Sequence, residues 1–334
     1  MTAEVSAEVS LAVVGLGYWG PNLARNVVAI PGASLAWVCD DDAGALARAA
    51  ASFPGVGATS SLDEVLADDG LDGVLLSTPV RTHAELAERV LSAGKHCFVE
   101  KPLATSVADA QGVVDAAAAG DRVLMVGHLL EYHPGVRALA ALIADGELGE
   151  IHYIYSNRLN LGQLRADENA LWSLGAHDVA VILSLAGEAP VELDARGECY
   201  MRAGIEDVVF AFMRFPSGLA AHLHLSWLDP HKERRITVVG SRRMATFDDM
   251  EIERKLTIYD KGFDERTDSW GEYIARSGAS TSPRLQPTEP LRLEVEHFAD
   301  CIRSGSAPRS DGASGLRVVR VLEGLQAELE RSRR

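Results

Sequence analysis

The stretch LAVVGLGYWGPNLARNVVAI, residues 11–30, decides the fold of this chain. It begins with an apolar run, passes through three glycines spaced as G-x-G-x-x-G and continues with the apolar spacing of an amphipathic helix. A strand, a glycine turn and a helix in that order form the phosphate-binding start of a βαβ unit. We therefore expect Gly15, Gly17 and Gly20 to hold a pyrophosphate at the helix N-terminus, with Tyr18 and Trp19 among the cofactor-binding residues.

A carboxylate ends the next predicted strand, residues 34–40. Asp40 follows Gly20 at about the 20-residue distance at which such folds place an acidic residue on the ribose hydroxyls of the cofactor. Asp41 and Asp42 come directly after it, and no arginine adjoins them to balance a 2′-phosphate. The sequence therefore predicts NAD(H), rather than NADP(H), as the cofactor.

Strands and helices alternate over residues 1–130, which predicts an α/β fold with a Rossmann-type, doubly wound parallel sheet. The pattern changes in residues 131–334, where strand-like runs follow one another between 191 and 259. This order predicts a substrate-binding and oligomerisation domain of the α+β class with a large, open, mostly antiparallel sheet. The polar segment 261–288 predicts a long loop. Two closing helices, near 289–304 and 312–332, are free to pack back on the N-terminal domain.

Composition excludes several function classes. The 334 residues fit two domains, and the net charge of −16 argues against nucleic acid or an anionic membrane as the main partner. The four scattered cysteines predict reduced thiols, and no apolar run approaches the about 18 residues of a membrane span. We expect a cytoplasmic protein that acts on a small molecule.

Two later strand ends carry polar residues. Ser77, Thr78 and Pro79 close the strand 73–78, His83 follows them, and Glu100, Lys101 and Pro102 close the strand 96–100. Ligands bind at the carboxyl ends of the strands in such sheets, so all of these residues except Pro102 are predicted to contact the cofactor. Lysine occurs only five times in the chain, and Pro102 restricts the backbone of Lys101 to extended geometry. The sequence therefore predicts a lysine that is aimed at the cofactor.

These motifs resemble those of the Gfo/Idh/MocA oxidoreductase family, which carries a GxGxxG turn, a TP…H segment and an EKP tripeptide. All three stand here in the same order, and the resemblance extends over essentially the whole chain. It implies that Lys101 lies beside the nicotinamide and the reacting hydroxyl. It also implies a homodimer or homotetramer that forms through the C-terminal sheet.

A second catalytic stretch is predicted in LWSLGAHDVAVILSL, residues 171–185. On a helix, Ser173 and His177 share one face because they are four residues apart. The family often has an aspartate where Ser173 stands, so a proton relay through that position is not expected. We assign His177, whose ordinary pKa is about 6.5, as the base and Lys101 as the donor to the developing alkoxide, with the reverse assignment open.

Several stretches, SNRLNLG (156–162) among them, narrow the resemblance to bacterial UDP-sugar 3-dehydrogenases. It implies oxidation of the 3-hydroxyl of UDP-N-acetylglucosaminuronic acid or a related UDP-sugar, and an anionic substrate of this kind suits arginine side chains. The pair His222 and His224 lacks a third ligand, so no metal site is expected. The expected substrate-binding residues are Lys101, Tyr153, Asn157, Arg158, Asn160, Arg165, Asn169, Ser173, His177 and Asp178.

Two alternatives stay open at this point. The first is an NAD(P)H-dependent ketoreductase of a nucleotide-linked keto sugar in secondary metabolism, because hydride transfer runs in both directions on this fold. The second is a non-catalytic NAD-binding regulator. The presence of both Lys101 and His177 speaks against the regulator, since a sensor needs neither.

Overall fold

The computed structural model describes residues 8–162, 164–166, 168–265 and 272–333, which form two compact units. The first unit contains the described residues up to Tyr132 together with Thr288–Arg320. The second contains His133–Pro287 together with the described residues from Val321 onward. The first unit therefore includes a segment near the C-terminus as well as the N-terminal part of the chain.

The first unit is built on a six-stranded sheet in the order β3-β2-β1-β4-β5-β6. All of its described strand pairs are parallel, and this order is that of dinucleotide-binding sheets, which confirms the predicted Rossmann fold. Its strands are β1 (Val9–Val14), β2 (Ala33–Cys39), β3 (Gly57–Thr59), β4 (Gly73–Leu76), β5 (His96–Glu100) and β6 (Leu124–Gly127). Its helices, numbered in chain order, are α1 (Gly20–Ala29), α2 (Ala43–Ser52), α3 (Leu62–Leu66), α4 (His83–Ser92), α5 (Val107–Gly120) and α8 (Pro290–Ser304).

The core of this unit lies on both faces of the sheet. Residues of β1 and β4 are buried almost throughout, as expected for strands that are covered by helices on both sides. Helix α8 covers part of one face through Leu291, Val295 and Phe298, and the Phe298 ring meets Phe98 of β5 edge-on at 5.9 Å between centroids. The C-terminal helix α8 is thus part of the Rossmann core.

The second unit is built on an eight-stranded sheet in the order β14-β13-β12-β11-β7-β10-β9-β8. The β7–β10 pair is parallel and the other described pairs are antiparallel, which confirms the predicted mostly antiparallel sheet. Its strands are β7 (Ile151–Leu161), β8 (Glu192–Glu198), β9 (Val208–Arg214), β10 (Ala220–Ser226), β11 (Leu228–Gly240), β12 (Met244–Asp248), β13 (Leu256–Glu265) and β14 (Tyr273–Thr281). Helices α6 (Pro134–Ala144) and α7 (Ala176–Ala186) belong to this unit, and α9 (Gly312–Ser332) begins in the first unit and ends in the second.

The prediction of a long loop over 261–288 is wrong for the residues of that segment that form strands, whereas residues 282–288 have no helix or strand, as predicted. Strand β13 extends to Glu265, and β14 pairs with it antiparallel over Tyr273–Thr281, while residues 266–271 lie outside the described residues. Most residues of this strand pair are exposed or half-buried. Because neither face needs apolar side chains, the alternation that marks a half-buried strand is missing from the sequence. In the described ranges, the chain has no helix with both the length and the apolar character needed to span a membrane.

Candidate active site

The glycine turn after β1 has the geometry of a phosphate cradle. Gly15 has a φ of +89°, and a Cβ on it would lie 2.7 Å from the backbone of Ser77. A Cβ on Gly20 would lie 1.9 Å from the Gly15 carbonyl oxygen, so both positions require glycine. No described atom lies within 4 Å of a Cβ built on Gly17. The turn therefore leaves open space beside the N-terminus of α1, which fits a pyrophosphate.

Asp40 is fixed between the glycine turn and the next helix. Its Oδ2 accepts a hydrogen bond from the Leu16 N–H at 2.5 Å, and its Oδ1 accepts one from the Asp42 N–H at 2.8 Å. Asp42 in turn caps α2 by accepting from the Gly44 N–H at 2.7 Å. Each carboxylate oxygen can accept a second hydrogen bond. The half-buried Asp40 therefore retains the capacity to bind the two ribose hydroxyls of NAD.

The loop after β4 is bonded to the glycine turn. The Ser77 hydroxyl donates to the Gly15 carbonyl at 2.6 Å, which holds the two loops together. Thr78 Oγ1 accepts from the Thr82 hydroxyl at 2.8 Å, and Pro79 begins the short 3₁₀ turn that leads into α4. Tyr18 is 93% exposed at the rim of the glycine turn, and Trp19 is half-buried at the start of α1. Ser77 thus stabilises the backbone of the glycine turn.

His83 is placed differently from its prediction as a cofactor contact. The ring is 1% exposed, and its Nδ1 and Nε2 lie 2.8 and 2.9 Å from the carbonyl oxygens of Pro102 and Thr78. Burial lowers the pKa of His83, while these two hydrogen bonds oppose the shift. Because both ring nitrogens contact backbone, His83 connects the loop after β4 to the loop after β5 and offers no ring nitrogen to a cofactor.

Glu100 and Lys101 end β5 at the carboxyl edge of the sheet. The backbone N–H of Lys101 donates to Glu100 Oε2 at 3.2 Å, and the Lys101–Pro102 peptide bond is cis. A Cβ on Gly127 would lie 3.0 Å from Glu100 Oε2, so the bare end of β6 makes room for this carboxyl group. Burial raises the pKa of Glu100 to about 7, while Lys101 and the Trp19 indole oppose the shift. Lys101 therefore stands beside a carboxyl group that changes charge near neutral pH.

His177 and Ser173 lie on the predicted helix of the second unit, but the helix begins with a wider turn. Residues Leu171–Gly175 form a π-helical turn that contains Ser173, and α7 follows from Ala176 with His177 in its first turn. Both side chains are half-buried. Irregular turns of this kind are frequent at functional sites, and the catalytic role of this stretch stays a prediction.

Arg158 and Asp178 were expected to contact substrate, and the structure corrects both predictions. Arg158 Nε donates to Asp178 Oδ2 at 2.5 Å, and the Ser156 hydroxyl donates to Asp178 Oδ1 at 2.7 Å. Asp178 is 1% exposed and Arg158 is 8% exposed. The two charges are therefore paired with each other in the core, where they fix α7, and with it His177, to strand β7.

Tyr153 and Asn157 are also corrected, because they lie on the opposite face of β7. Alternate residues of a strand point to opposite faces, and Ser156 and Arg158 face α7. Tyr153 instead stacks with Tyr155 at 6.2 Å, and Asn157 donates to Glu233 at 2.9 Å. Both residues are thus directed away from the helix that carries His177.

Asn169 is likewise a structural residue. Its amide donates to Glu206 at 2.7 Å and to Gln326 at 2.9 Å, and the side chain is 8% exposed. Asn160 is half-buried, and Arg165 is exposed, where it pairs with Glu168 at 2.9 Å. Of the polar residues predicted between 153 and 169, these last two are neither buried in the core nor placed on the face of β7 opposite α7.

Sequence reasoning missed the acidic and imidazole groups that are buried in the first unit. Glu131 and His128 follow β6, and Glu294 lies on α8. Glu294 had a signal in the sequence, because it falls three residues after Leu291 and four before Phe298 on the apolar stripe of a helix. Among the described residues, no group of three His, Cys, Asp or Glu side chains could hold a metal ion.

A parallel sheet of this order, a glycine turn before α1 and an aspartate after β2 define the class of dinucleotide-binding proteins. Family models agree, since residues 9–128 match the Oxidoreductase family, NAD-binding Rossmann fold, and residues 136–246 match the GFO/IDH/MocA C-terminal domain. The chain belongs to the Gfo/Idh/MocA family and is an NAD-binding oxidoreductase that acts on CH–OH groups. The family resemblance and the NAD prediction are thereby confirmed.

Individual relatives act on different substrates. The chain is 29% identical over 309 residues to the UDP-N-acetylglucosamine 3-dehydrogenase of Acidithiobacillus ferrooxidans, which covers 92% of this chain and 93% of that protein. A solved structure of that enzyme matches with a TM-score of 0.84 at 27% identity, over 97% of this chain and 98% of that one. The scyllo-inositol 2-dehydrogenase (NAD(+)) of Bacillus subtilis is 25% identical over 90% of this chain and 88% of that protein. GenD2 from gentamicin A biosynthesis, solved in complex with NAD, matches with a TM-score of 0.82 at 25% identity, over 99% of this chain and 96% of that one.

Proposed function

We propose that the protein oxidises the 3-hydroxyl of a UDP-sugar, UDP-N-acetylglucosaminuronic acid or a relative such as UDP-N-acetylglucosamine, to the 3-keto sugar. The observation that carries the proposal is the similarity to a UDP-N-acetylglucosamine 3-dehydrogenase over nearly the full length of both chains. The cradle at Gly17 and the carboxylate of Asp40 support the use of NAD by the same chain.

The proposed roles follow from the chemistry of the side chains. NAD⁺, which the glycine turn and Asp40 would hold, would supply the acceptor for the hydride of the sugar carbon. His177 takes the hydroxyl proton, since the ordinary pKa of histidine, about 6.5, suits a base near neutral pH. Lys101 donates a hydrogen bond to the oxygen as negative charge develops on it. The Arg158–Asp178 pair supports this chemistry by holding the helix that carries His177.

The test is a screen of UDP- and dTDP-linked sugars and uronic acids with NAD⁺ and with NADP⁺, followed by the absorbance of the reduced nicotinamide. We expect reduction of NAD⁺ with a UDP-linked N-acetyl sugar or its uronate, and a weaker signal with NADP⁺. Absence of signal with every UDP-hexose and UDP-uronate would contradict the proposal. Consumption of NADH with a keto sugar would then favour the ketoreductase alternative, which the similarity to GenD2 supports.

We also propose that the outer face of the C-terminal sheet, the face opposite α7, joins copies of the chain into a dimer or tetramer. Aromatic and imidazole rings stack along this face, with Tyr155 at 5.3 Å from His222 and Phe210 at 4.4 Å from His224. Phe210 is 52% exposed, so the row offers apolar area to a second copy. Replacing Phe210 with glutamate is expected to lower the mass measured by light scattering toward that of the single chain. If light scattering gives the mass of a single chain for the parent protein as well as for the Phe210→Glu variant, the proposal is contradicted.

A further inference from the structure

Glu294 is a buried carboxyl group to which no donor is directed. It is 0% exposed, and neither carboxyl oxygen accepts a hydrogen bond from a described residue. Leu291 and Phe298, one turn away on either side, place it on the apolar stripe of α8. A buried carboxylate that accepts no hydrogen bond is strongly disfavoured, whereas the neutral acid is tolerated. The surroundings of Glu294 therefore favour the protonated form.

The packing of α8 brings Glu294 toward the strand that ends in Lys101. The Phe298 ring meets Phe98 of β5 at 5.9 Å. Glu100 lies two residues after Phe98, hence on the same face of β5, and Glu294 lies one turn before Phe298 on the same side of α8. The electrostatics agree, because burial, followed by the charges of Glu100 and Glu131, raises the pKa of Glu294 well above its usual range.

Two further titratable groups, His128 and Glu131, lie around this space. His128 follows β6, is 1% exposed and has no partner for either ring nitrogen in the described ranges, and burial with nearby Lys101 lowers its pKa to about 3. Burial raises the pKa of Glu131, in the turn after β6, to about 8, although Arg309 and Arg317 oppose the shift. Near neutral pH, Glu100 is therefore the carboxyl group best placed to balance the Lys101 ammonium.

We propose that Glu294 is a positioning residue for Lys101: as a neutral acid it donates a hydrogen bond to the Glu100 carboxylate, and so keeps one negative charge beside the lysine. Two buried carboxyl groups at close range hold a single charge between them. That charge belongs on Glu100, since Lys101 is its immediate neighbour. The inference rests on the proposed function, in which Lys101 contacts the reacting oxygen.

Two replacements of Glu294 by side chains of similar volume test whether this residue acts as a neutral hydrogen-bond donor or as an ionised carboxylate. Glutamine keeps a neutral donor, so E294Q is expected to retain kcat and the acid limb of its pH profile. Leucine removes the donor, so in E294L the pKa of Glu100 rises and the acid limb of kcat moves upward by about one pH unit, a tenfold loss on that limb. KM for NAD⁺ is expected to stay unchanged in both variants. The half-buried Glu296 on the same helix provides the controls E296Q and E296L, whose profiles are expected to match the parent.

Two outcomes of the Glu294 variants would overturn the proposed positioning role. If E294Q shifts the pH profile as strongly as E294L, Glu294 acts as a carboxylate and the proposal is overturned. If neither variant changes the profile while both fold, Glu294 has only a packing role, which also overturns it. A loss of stability alone, with kcat and the profile unchanged, counts as the same packing result.

A measurement independent of turnover keeps the inference testable if E294L fails to fold. Infrared spectra at neutral pH are expected to show C=O stretches of buried carboxylic acids, and E294Q is expected to lose the component contributed by Glu294 while E296Q keeps the whole band. An undiminished band in E294Q would overturn the assignment of the proton to Glu294. If K101A retains full turnover, the proposed function fails, yet the infrared band still reports the state of Glu294.

Discussion

Replacing Lys101 with alanine is expected to lower kcat by about 10²–10⁴-fold, the range found when a group that donates or accepts a proton in the transition state is removed. The affinity for NAD⁺ is expected to stay within a factor of about three, because the glycine turn and Asp40 are the residues proposed to contact the dinucleotide. Steady-state kinetics with the sugar found in the screen measure the first effect. Quenching of protein fluorescence by NAD⁺ measures the second.

The exposed Lys232 provides the matched control for Lys101. Lys232→Ala removes the same charge from the surface of β11 and is expected to leave kcat unchanged. Near-normal turnover in Lys101→Ala would remove Lys101 from the reaction. A loss of NAD⁺ binding in the same variant would show instead that the lysine serves the cofactor more than the chemistry.

Replacing Arg158 with methionine is expected to lower the free energy of unfolding of the second unit by about 3–5 kcal/mol, the usual cost of leaving one member of a buried ion pair unpaired. Asp178 would keep its Ser156 hydrogen bond but lose the two from the guanidinium. Because α7 carries His177, kcat is expected to fall along with stability. Urea unfolding followed by circular dichroism measures the free energy.

Two further variants distinguish the lost pairing from the lost side chain. Arg165→Met breaks the pair of an exposed arginine with the half-buried Glu168 and is expected to cost no more than about 1 kcal/mol, as pairs in contact with solvent do. The double variant Arg158→Met/Asp178→Leu is expected to recover much of the stability, since it leaves no buried charge unpaired. Equal losses in Arg158→Met and Arg165→Met would mean that the buried pair contributes no more than a surface pair.

The sequence predicted the Rossmann sheet well because its signals are local. A buried strand, a glycine turn and a helix occupy consecutive residues, and Gly15 and Gly20 are required by contacts within that short segment and with the loop after β4. The three-residue strand β3 was not predicted, since Gly57–Thr59 is too short to show any periodicity. Because its exposed faces carry polar residues, the hairpin of β13 and β14 has the sequence pattern of a loop.

The substrate residues were harder to predict because their contacts are distant in sequence. From the sequence, Arg158 is a candidate to bind an anionic sugar, and Asp178 is a candidate substrate contact. The fold instead places the two side chains 2.5 Å apart in the core. Odd- and even-numbered residues of β7 lie on opposite faces of the sheet, and α7 covers one of these faces. Both sets contain polar residues, so the sequence does not show which set, that of Tyr153 or the other, faces α7. A motif predicts a backbone conformation directly, whereas a side-chain partner is known only when the strands and helices have been packed.

The placement of α8 in the Rossmann core has a practical consequence for dissecting this protein. A fragment cut after Tyr132 would lack Leu291, Val295 and Phe298, and the apolar surface that they cover would be exposed to water. We expect such a fragment to aggregate, or to stay in solution only when detergent binds this surface. Chimeras that exchange substrate specificity between relatives therefore need two junctions, one near each end of the inserted segment, so that the nucleotide-binding half keeps both pieces of its own chain.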